Sequence, residues 1–168
     1  MRLGDIANEQ AADQPRPLAG VRILALEQMQ ALPYATQLLA RLGAEVVKVE
    51  HPASGDLGRG SLPAVDDPQG RRLGATFLRN SLNKKSICVD IKSPEGRELI
   101  LRLAPKFDVI AENFKGGALA RMGLAYDDIR AVHPGAVYLS ISGFGNTVAP
   151  PYDGWPAYAA VAEAMSGL

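Results

Sequence analysis

The sequence predicts a doubly wound α/β fold with a mostly parallel sheet, and two observations carry that expectation. Short apolar runs suited to strands alternate along the chain with segments of helical spacing. Such alternation argues for helices packed on both faces of one sheet. The first strand, helix and strand also fit within about 30 residues, the length of a βαβ unit, whose strands are parallel and joined by a right-handed crossover. With 168 residues, of which 47% are hydrophobic and 21% charged, the chain can build one domain around a single core.

Residues 1–17 are polar and proline-containing without a sustained period. They are expected to form a flexible arm ahead of a domain over residues 18–168. Val21 to Leu26 reads as a buried strand. Pro33 suits the first turn of a helix and Gly43 stands just past its end, bracketing Tyr34 to Leu42. Ala44 to Glu50 is the second strand. Residues 51–75 are rich in Gly, Pro, Asp and Arg and are expected to be a long loop. Ser86 to Asp90 is the third strand. Ser93 then caps a helix whose Pro94 and Glu95 suit its first turn and whose inner face carries Leu99, Ile100 and Leu103. Asp108 to Ala111 is the fourth strand, short helices cover Ala118 to Met122 and Asp127 to Val132, and Ala136 to Ser142 is the fifth strand. A last helix starts near Tyr158.

Eighteen Lys and Arg balance eighteen Asp and Glu. That leaves no broad positive field for nucleic acid or an anionic membrane, so an anionic ligand must be held by local groups. The lone Cys88 cannot form an internal disulfide, fits a reducing compartment such as the cytoplasm, and is expected to be a buried, inert thiol. One cysteine and two separated histidines give a metal site no support. No apolar run reaches the roughly 18 residues of a membrane span, and residues 1–17 lack a signal peptide's apolar segment.

Ligands of open α/β sheets bind where strands end. The first strand exits through Glu27 Gln28 Met29 Gln30 Ala31 Leu32 Pro33, without the GxGxxG of dinucleotide sites. The second exits at His51, the third at Asp90 Ile91 Lys92, the fourth at Asn113 Phe114 Lys115 and the fifth at Gly143 Phe144 Gly145. One rim is therefore expected to gather His51, Lys92, Lys115 and Arg121, enough positive charge for a pyrophosphate or a 3′-phosphate. Asp56 and Arg59, in a glycine-rich run, read as a local ion pair or turn, and Lys84 and Lys85 as a solvated turn. Ser140 and Ser142 have no histidine in a nucleophile-elbow pattern, so a Ser/His/Asp hydrolase is not supported.

Several stretches taken together resemble a known family. They are Leu18 to Leu24, Leu42 to Glu50, Gly55 Asp56, Asn83 to Ser86, Glu112 Asn113 Phe114 and Pro156 Ala157 Tyr158. In order and approximate spacing they are similar to the N-terminal part of the family III CoA-transferases, which include formyl-CoA and carnitine CoA-transferases and the α-methylacyl-CoA racemases. The resemblance implies a Rossmann-like domain that is part of an interlaced homodimer fold. It implies coenzyme A or acyl-CoA as substrate, a small carboxylic acid as acceptor, and no metal. The CoA contacts it implies fall on Gln30 and Ala31, on Val89, Asp90, Ile91 and Lys92 at the adenine end, on Asn113, Phe114 and Lys115, on Arg121, and on Tyr158. His51 stands where these enzymes often carry arginine. Gln30 is implied nearest the thioester. The transferases use an aspartate nucleophile, which the resemblance puts beyond Leu168, so this chain is expected to carry no catalytic residue of its own. The C-terminal half would then come from the rest of a longer chain or from a partner. The racemase branch uses an acid where Ala159 stands, and alanine cannot move a proton. A CoA-transferase is thus the expectation, with a noncatalytic CoA-binding subunit and an acyl-CoA racemase or isomerase relative as the alternatives.

Overall fold

A computed structural model describes residues 14–146, 152 and 155–167. The chain runs β1 (Arg22–Leu26), α1 (Ala31–Arg41), β2 (Glu45–Glu50), a 3-10 turn (Leu57–Gly60), β3 (Ala64–Asp66), β4 (Arg72–Gly74), α2 (Ala75–Asn80), β5 (Lys84–Cys88) and α3 (Pro94–Leu103). A second 3-10 turn (Ala104–Lys106) leads to β6 (Val109–Glu112), α4 (Ala118–Arg121), α5 (Tyr126–Val132), β7 (Val137–Ser140) and α6 (Ala159–Ser166). Five strands form one sheet in the order β5-β2-β1-β6-β7, and every neighbouring pair is parallel. The chain winds outward from β1 through β2 to β5, then crosses back to β6 on the other side of β1. The strand order therefore reverses between β1 and β6, and the crevice above that point is where doubly wound sheets hold their ligands.

Side-chain alternation explains the two faces. Leu24, Leu26, Val47, Val49 and Ile110 point to one side and pack with Ile100 of α3, Leu119 of α4 and Ile129 of α5. Ile23, Ala25 and Val46 point to the other and pack beneath Leu32 and Ala40 of α1. Covering both faces of a parallel sheet is what lets its strands be apolar almost throughout. The doubly wound parallel sheet expected from the sequence is thus observed.

The differences have local causes. The segment 51–75 is not one loop: it contains the first 3-10 turn, the β3–β4 hairpin and the start of α2. Asp67 organises the hairpin turn, its Oδ1 accepting from the Gln69 and Arg71 amides at 2.9 and 2.8 Å, a side-chain turn that composition alone does not reveal. Helix α1 begins at Ala31, three residues before the expected Tyr34, which brings Pro33 inside its first turn. Strand β5 begins at Lys84 rather than Ser86, so the two lysines lie in the strand. Cys88 is exposed, not buried, because β5 is an edge strand paired only with β2. On α3 the buried positions are Gly96 and Ile100, whereas Leu99 lies outward at 39% exposure. The arm expected over residues 1–17 lies outside the described residues as far as residue 13.

Candidate functional site

Three loops at the carboxyl end of the sheet build the crevice, and a sealed ionic network holds the first of them. The β2 sequence Glu-Val-Val-Lys-Val-Glu sends Lys48 and Glu50 to the α1 side of the sheet, where Val46 is apolar. Lys48 is 1% exposed. Its ammonium meets Asp56 at 2.6 Å and Glu27 at 3.4 Å, and donates to the Glu27 carbonyl at 3.2 Å. Lys84 reaches the same Glu27 carboxylate at 2.6 Å and the Pro33 carbonyl at 2.8 Å. Thr36 of α1 donates to the second Glu27 oxygen at 2.6 Å. Two lysines thus offset two carboxylates, and hydrogen bonds occupy the remaining lone pairs, the condition for a buried ion cluster to be tolerated. Burial pushes the Lys84 ammonium below its ordinary range, against the pull of Glu27. The solvated turn expected at Lys84 is corrected accordingly. Lys85 is exposed and pairs with Glu45.

A second pair adjoins the first. Arg59 forks onto Glu50 at 2.7 and 2.9 Å, and its guanidinium lies 3.7 Å from the Phe77 ring centroid. Arg59 therefore pairs with Glu50, while Asp56 answers Lys48; the local Asp56–Arg59 pair suggested by the sequence is not the arrangement found. Burial alone would raise the Glu50 carboxyl, but hydrogen bonds from Arg59, Ser86 and the Asp56 amide hold it below the ordinary glutamate range. A carboxylate with a depressed folded value adds stability above its unfolded value, about 4.3, and loses that contribution as the pH falls through the folded one. Urea midpoints measured from neutral pH down into the acid range are expected to fall with this group's protonation, and Arg59→Met should flatten that acid limb. An unchanged limb would show that Glu50 is not held by Arg59.

The network grips the β1 exit loop. Asp56 Oδ1 accepts from the Met29 amide at 3.1 Å, and Asn80 Nδ2 donates to the Met29 carbonyl at 3.3 Å. Met29 sits at φ +64°, a left-handed conformation that a non-glycine residue keeps only when its surroundings over-determine it. Gln28 is held from across the crevice, its amide donating to Asn113 Oδ1 and its carbonyl accepting from Asn113 Nδ2, both at 2.9 Å. Gln30 then caps α1 without a side-chain capping bond and is exposed, as is Ala31.

The cationic rim divides. Lys92 and Arg121 line one open cavity of about 460 Å³ together with Ile91, Ser93, Pro94, Arg97, Met122 and Gly123. Arg97 was not among the residues expected from the sequence. His51 and Lys115 do not line this cavity. The His51 Nδ1 faces the Ala53 and Ser54 amides at 3.2 and 3.3 Å, and its Nε2 lies 4.0 Å from Asp90. Val89 is buried in the core, and Asp90 uses an oxygen to accept from the Lys92 amide at 3.0 Å. Phe114 is half-buried against the core, Lys115 is exposed, and Gly117 turns the chain into α4 at φ +73°. Tyr158 is 77% exposed at the start of α6. Among the described residues, no cluster of three or more His, Cys, Asp or Glu could hold a metal ion, and no helix is long and apolar enough to cross a membrane.

Comparison with known proteins fits this architecture. The profile of CoA-transferase family III matches residues 18–168. The chain is 41% identical over 154 residues to a succinate–glutarate CoA-transferase of Agrobacterium fabrum, covering 90% of this chain and 38% of that protein. It is 45% identical over 152 residues to a formyl-CoA:oxalate CoA-transferase of Streptomyces avermitilis, covering 90% of this chain and 35% of that one. A CAIB/BAIF family protein from Brucella suis superposes with a TM-score of 0.83 at 40% identity, covering 92% of this chain and 40% of that structure. The doubly wound sheet and its switch-point crevice are thus those of a family shared with CoA-transferases. This chain belongs to CoA-transferase family III. It spans well under half the length of the relatives it matches, 38% and 35% for the two enzymes above.

Proposed function

We propose that residues 18–168 form the CoA-holding domain of a family III CoA-transferase, which moves CoA from an acyl-CoA to a small carboxylic acid. The observation that carries this reading is the cavity where Lys92, Arg97 and Arg121 converge beside the β5 exit, a place suited to the phosphates of CoA. The remaining contacts of the proposal are Gln30 and Ala31 towards the thioester, Ile91 and the Val89 and Asp90 backbone towards the adenine, and Asn113, Phe114, Lys115, His51 and Tyr158 around the rest. In this reading an aspartate beyond residue 168 attacks the thioester carbonyl and the CoA thiolate leaves, giving an acyl-aspartyl anhydride. The thiolate then attacks the aspartyl carbonyl, releasing the first acid, and the acceptor carboxylate resolves the aspartyl thioester by the same two exchanges in reverse. We place the enzyme in the cytoplasm as a homodimer. The exposed side chains of Tyr34 and Leu38 on α1 and of Leu42 at its C-cap, spaced four apart, support a covered face there.

The test is calorimetry of CoA and dephospho-CoA on the parent and on Arg97→Ala and Arg121→Ala. Each substitution is expected to weaken CoA by roughly 1–3 kcal/mol, the range for charge-assisted bonds. If the cavity takes the 3′-phosphate, dephospho-CoA should bind weakly and be indifferent to both changes. Unchanged CoA affinity in both variants would remove this cavity from the site.

A further inference from the structure

We propose that Asn113 is a positioning residue: by clamping the Gln28 peptide across the switch point, it fixes the β1 exit loop that presents Gln30, and so sets the geometry at the thioester without touching it. The proposal rests on the reading of this chain as the CoA-holding part of a transferase.

The register shows why a clamp is needed. Strands β1 and β6 pair in parallel from Ile23↔Val109 to Leu26↔Glu112, and no further main-chain pair follows. Beyond that point the two chains part to open the crevice, and the Gln28 peptide would be left without a partner. The Asn113 side chain replaces the missing strand. Its amide carries a carbonyl oxygen and an NH2 group side by side, as acceptor and donor stand on a strand edge, and each makes one bond at 2.9 Å on the two sides of Gln28. The clamp uses one lone pair of the Asn113 oxygen and one N–H of its nitrogen, so the second lone pair and the second N–H stay available for a ligand.

The loop is over-determined from its other side as well. Asp56 and Asn80 hold the Met29 amide and carbonyl, and the Leu57 amide donates to Gln28 Oε1 at 3.3 Å. With the Gln28 and Met29 main chain fixed, the first polar side chain of the loop left exposed and without a capping bond is that of Gln30. Rigid support immediately behind a reacting group is the arrangement that catalysis by orientation requires, since displacements near 1 Å are costly in rate. A clamp that served stability alone would not need to meet a left-handed Met29 one residue before the exposed amide.

The experiment compares the full-length protein with Asn113→Ala, Asn113→Asp and Met29→Gly. Amide exchange followed by NMR should show the Gln28 amide exchanging at least about tenfold faster in Asn113→Ala. Protection should be largely retained in Asn113→Asp, which keeps the acceptor, and the Leu24 and Val47 amides should be unchanged in all three. In acyl-CoA to carboxylate transfer, Asn113→Ala should lower kcat by about 10- to 100-fold while KM for acyl-CoA stays within about twofold, and Asn113→Asp should restore part of the loss. Met29→Gly, which frees the loop without removing a hydrogen bond, should lower kcat in the same sense. A raised KM with unchanged kcat in Asn113→Ala would make Asn113 a ligand contact and overturn the proposal. Unchanged exchange at Gln28 would remove the clamp itself. A parent protein that neither binds nor transfers CoA would remove the functional reading, a failure read from the binding and transfer arms and not from the exchange arm.

Discussion

Replacing Lys48 with methionine should lower the unfolding free energy by about 3–5 kcal/mol, a large share of what a domain of this size has. The ammonium stands between Asp56 at 2.6 Å and Glu27 at 3.4 Å, and its side chain is 2% exposed. Methionine fills the space but leaves two buried carboxylates facing Lys84 alone. Removing one member of a buried cluster costs far more than the cluster contributes net, because the remaining charges keep their desolvation penalty and lose its compensation. Urea unfolding followed by circular dichroism reads the effect. A loss under about 1 kcal/mol, within the usual range for surface changes, would show that water or rearrangement reaches Asp56 and that the network is not sealed. The triple change Glu27→Gln, Lys48→Met, Asp56→Asn should recover much of the loss, since it withdraws the charges together.

Gly96→Ala should destabilise the chain by roughly 3 kcal/mol and weaken CoA at the same time. Helix propensity alone argues the other way, since alanine in a helix interior gains up to about 1 kcal/mol over glycine. Geometry decides the sign. A methyl at Gly96 would lie 1.9 Å from the Asp90 carbonyl oxygen and 2.7 Å from its carbon, backbone atoms that cannot swing aside. The first turn of α3 must move away from the β5 exit, carrying Ile91, Lys92 and Ser93 of the cationic cavity with it. Thermal unfolding and calorimetry together check this. A variant more stable than the parent would mean that the turn relaxes freely and that the close approach has no role in placing Lys92.

How much of this was legible in the sequence depends on whether a residue acts locally. The strands at Val21 to Leu26 and Ala44 to Glu50, the Ser93 cap and the glycine beyond α1 declare themselves through neighbours in the chain. Ser93 does accept from the Gly96 amide at 3.0 Å. The pairing of Lys92 with Arg121 in one cavity also followed from strand order, because both stand after strand ends. Arg97 escaped because a basic residue on an exposed helix turn looks like solvated surface until the α4 end is seen opposite it. Lys48 does carry a local signal, since a lysine between valines in a central strand must find a buried partner. Its partners, Glu27 and Asp56, lie 21 residues before and 8 residues after it in the sequence, distances over which no local rule speaks. Asn113 is the sharpest case. Its residue type suggested contact with a ligand, and its hydrogen bonds to Gln28, 85 residues away, are a second partnership that no local pattern announces.

The two groups of charge at this end of the molecule answer salt differently. Ions at physiological strength screen exposed charges over about 8 Å but scarcely reach pairs sealed from solvent. The Lys48, Lys84, Glu27 and Asp56 cluster is sealed, whereas Lys92 and Arg121 are open to solvent. Rising ionic strength would thus screen Lys92 and Arg121 and loosen any anion held there, while leaving the β1 exit loop in the same shape. On the proposed reading, affinity for CoA can then be tuned by the medium without reshaping that loop.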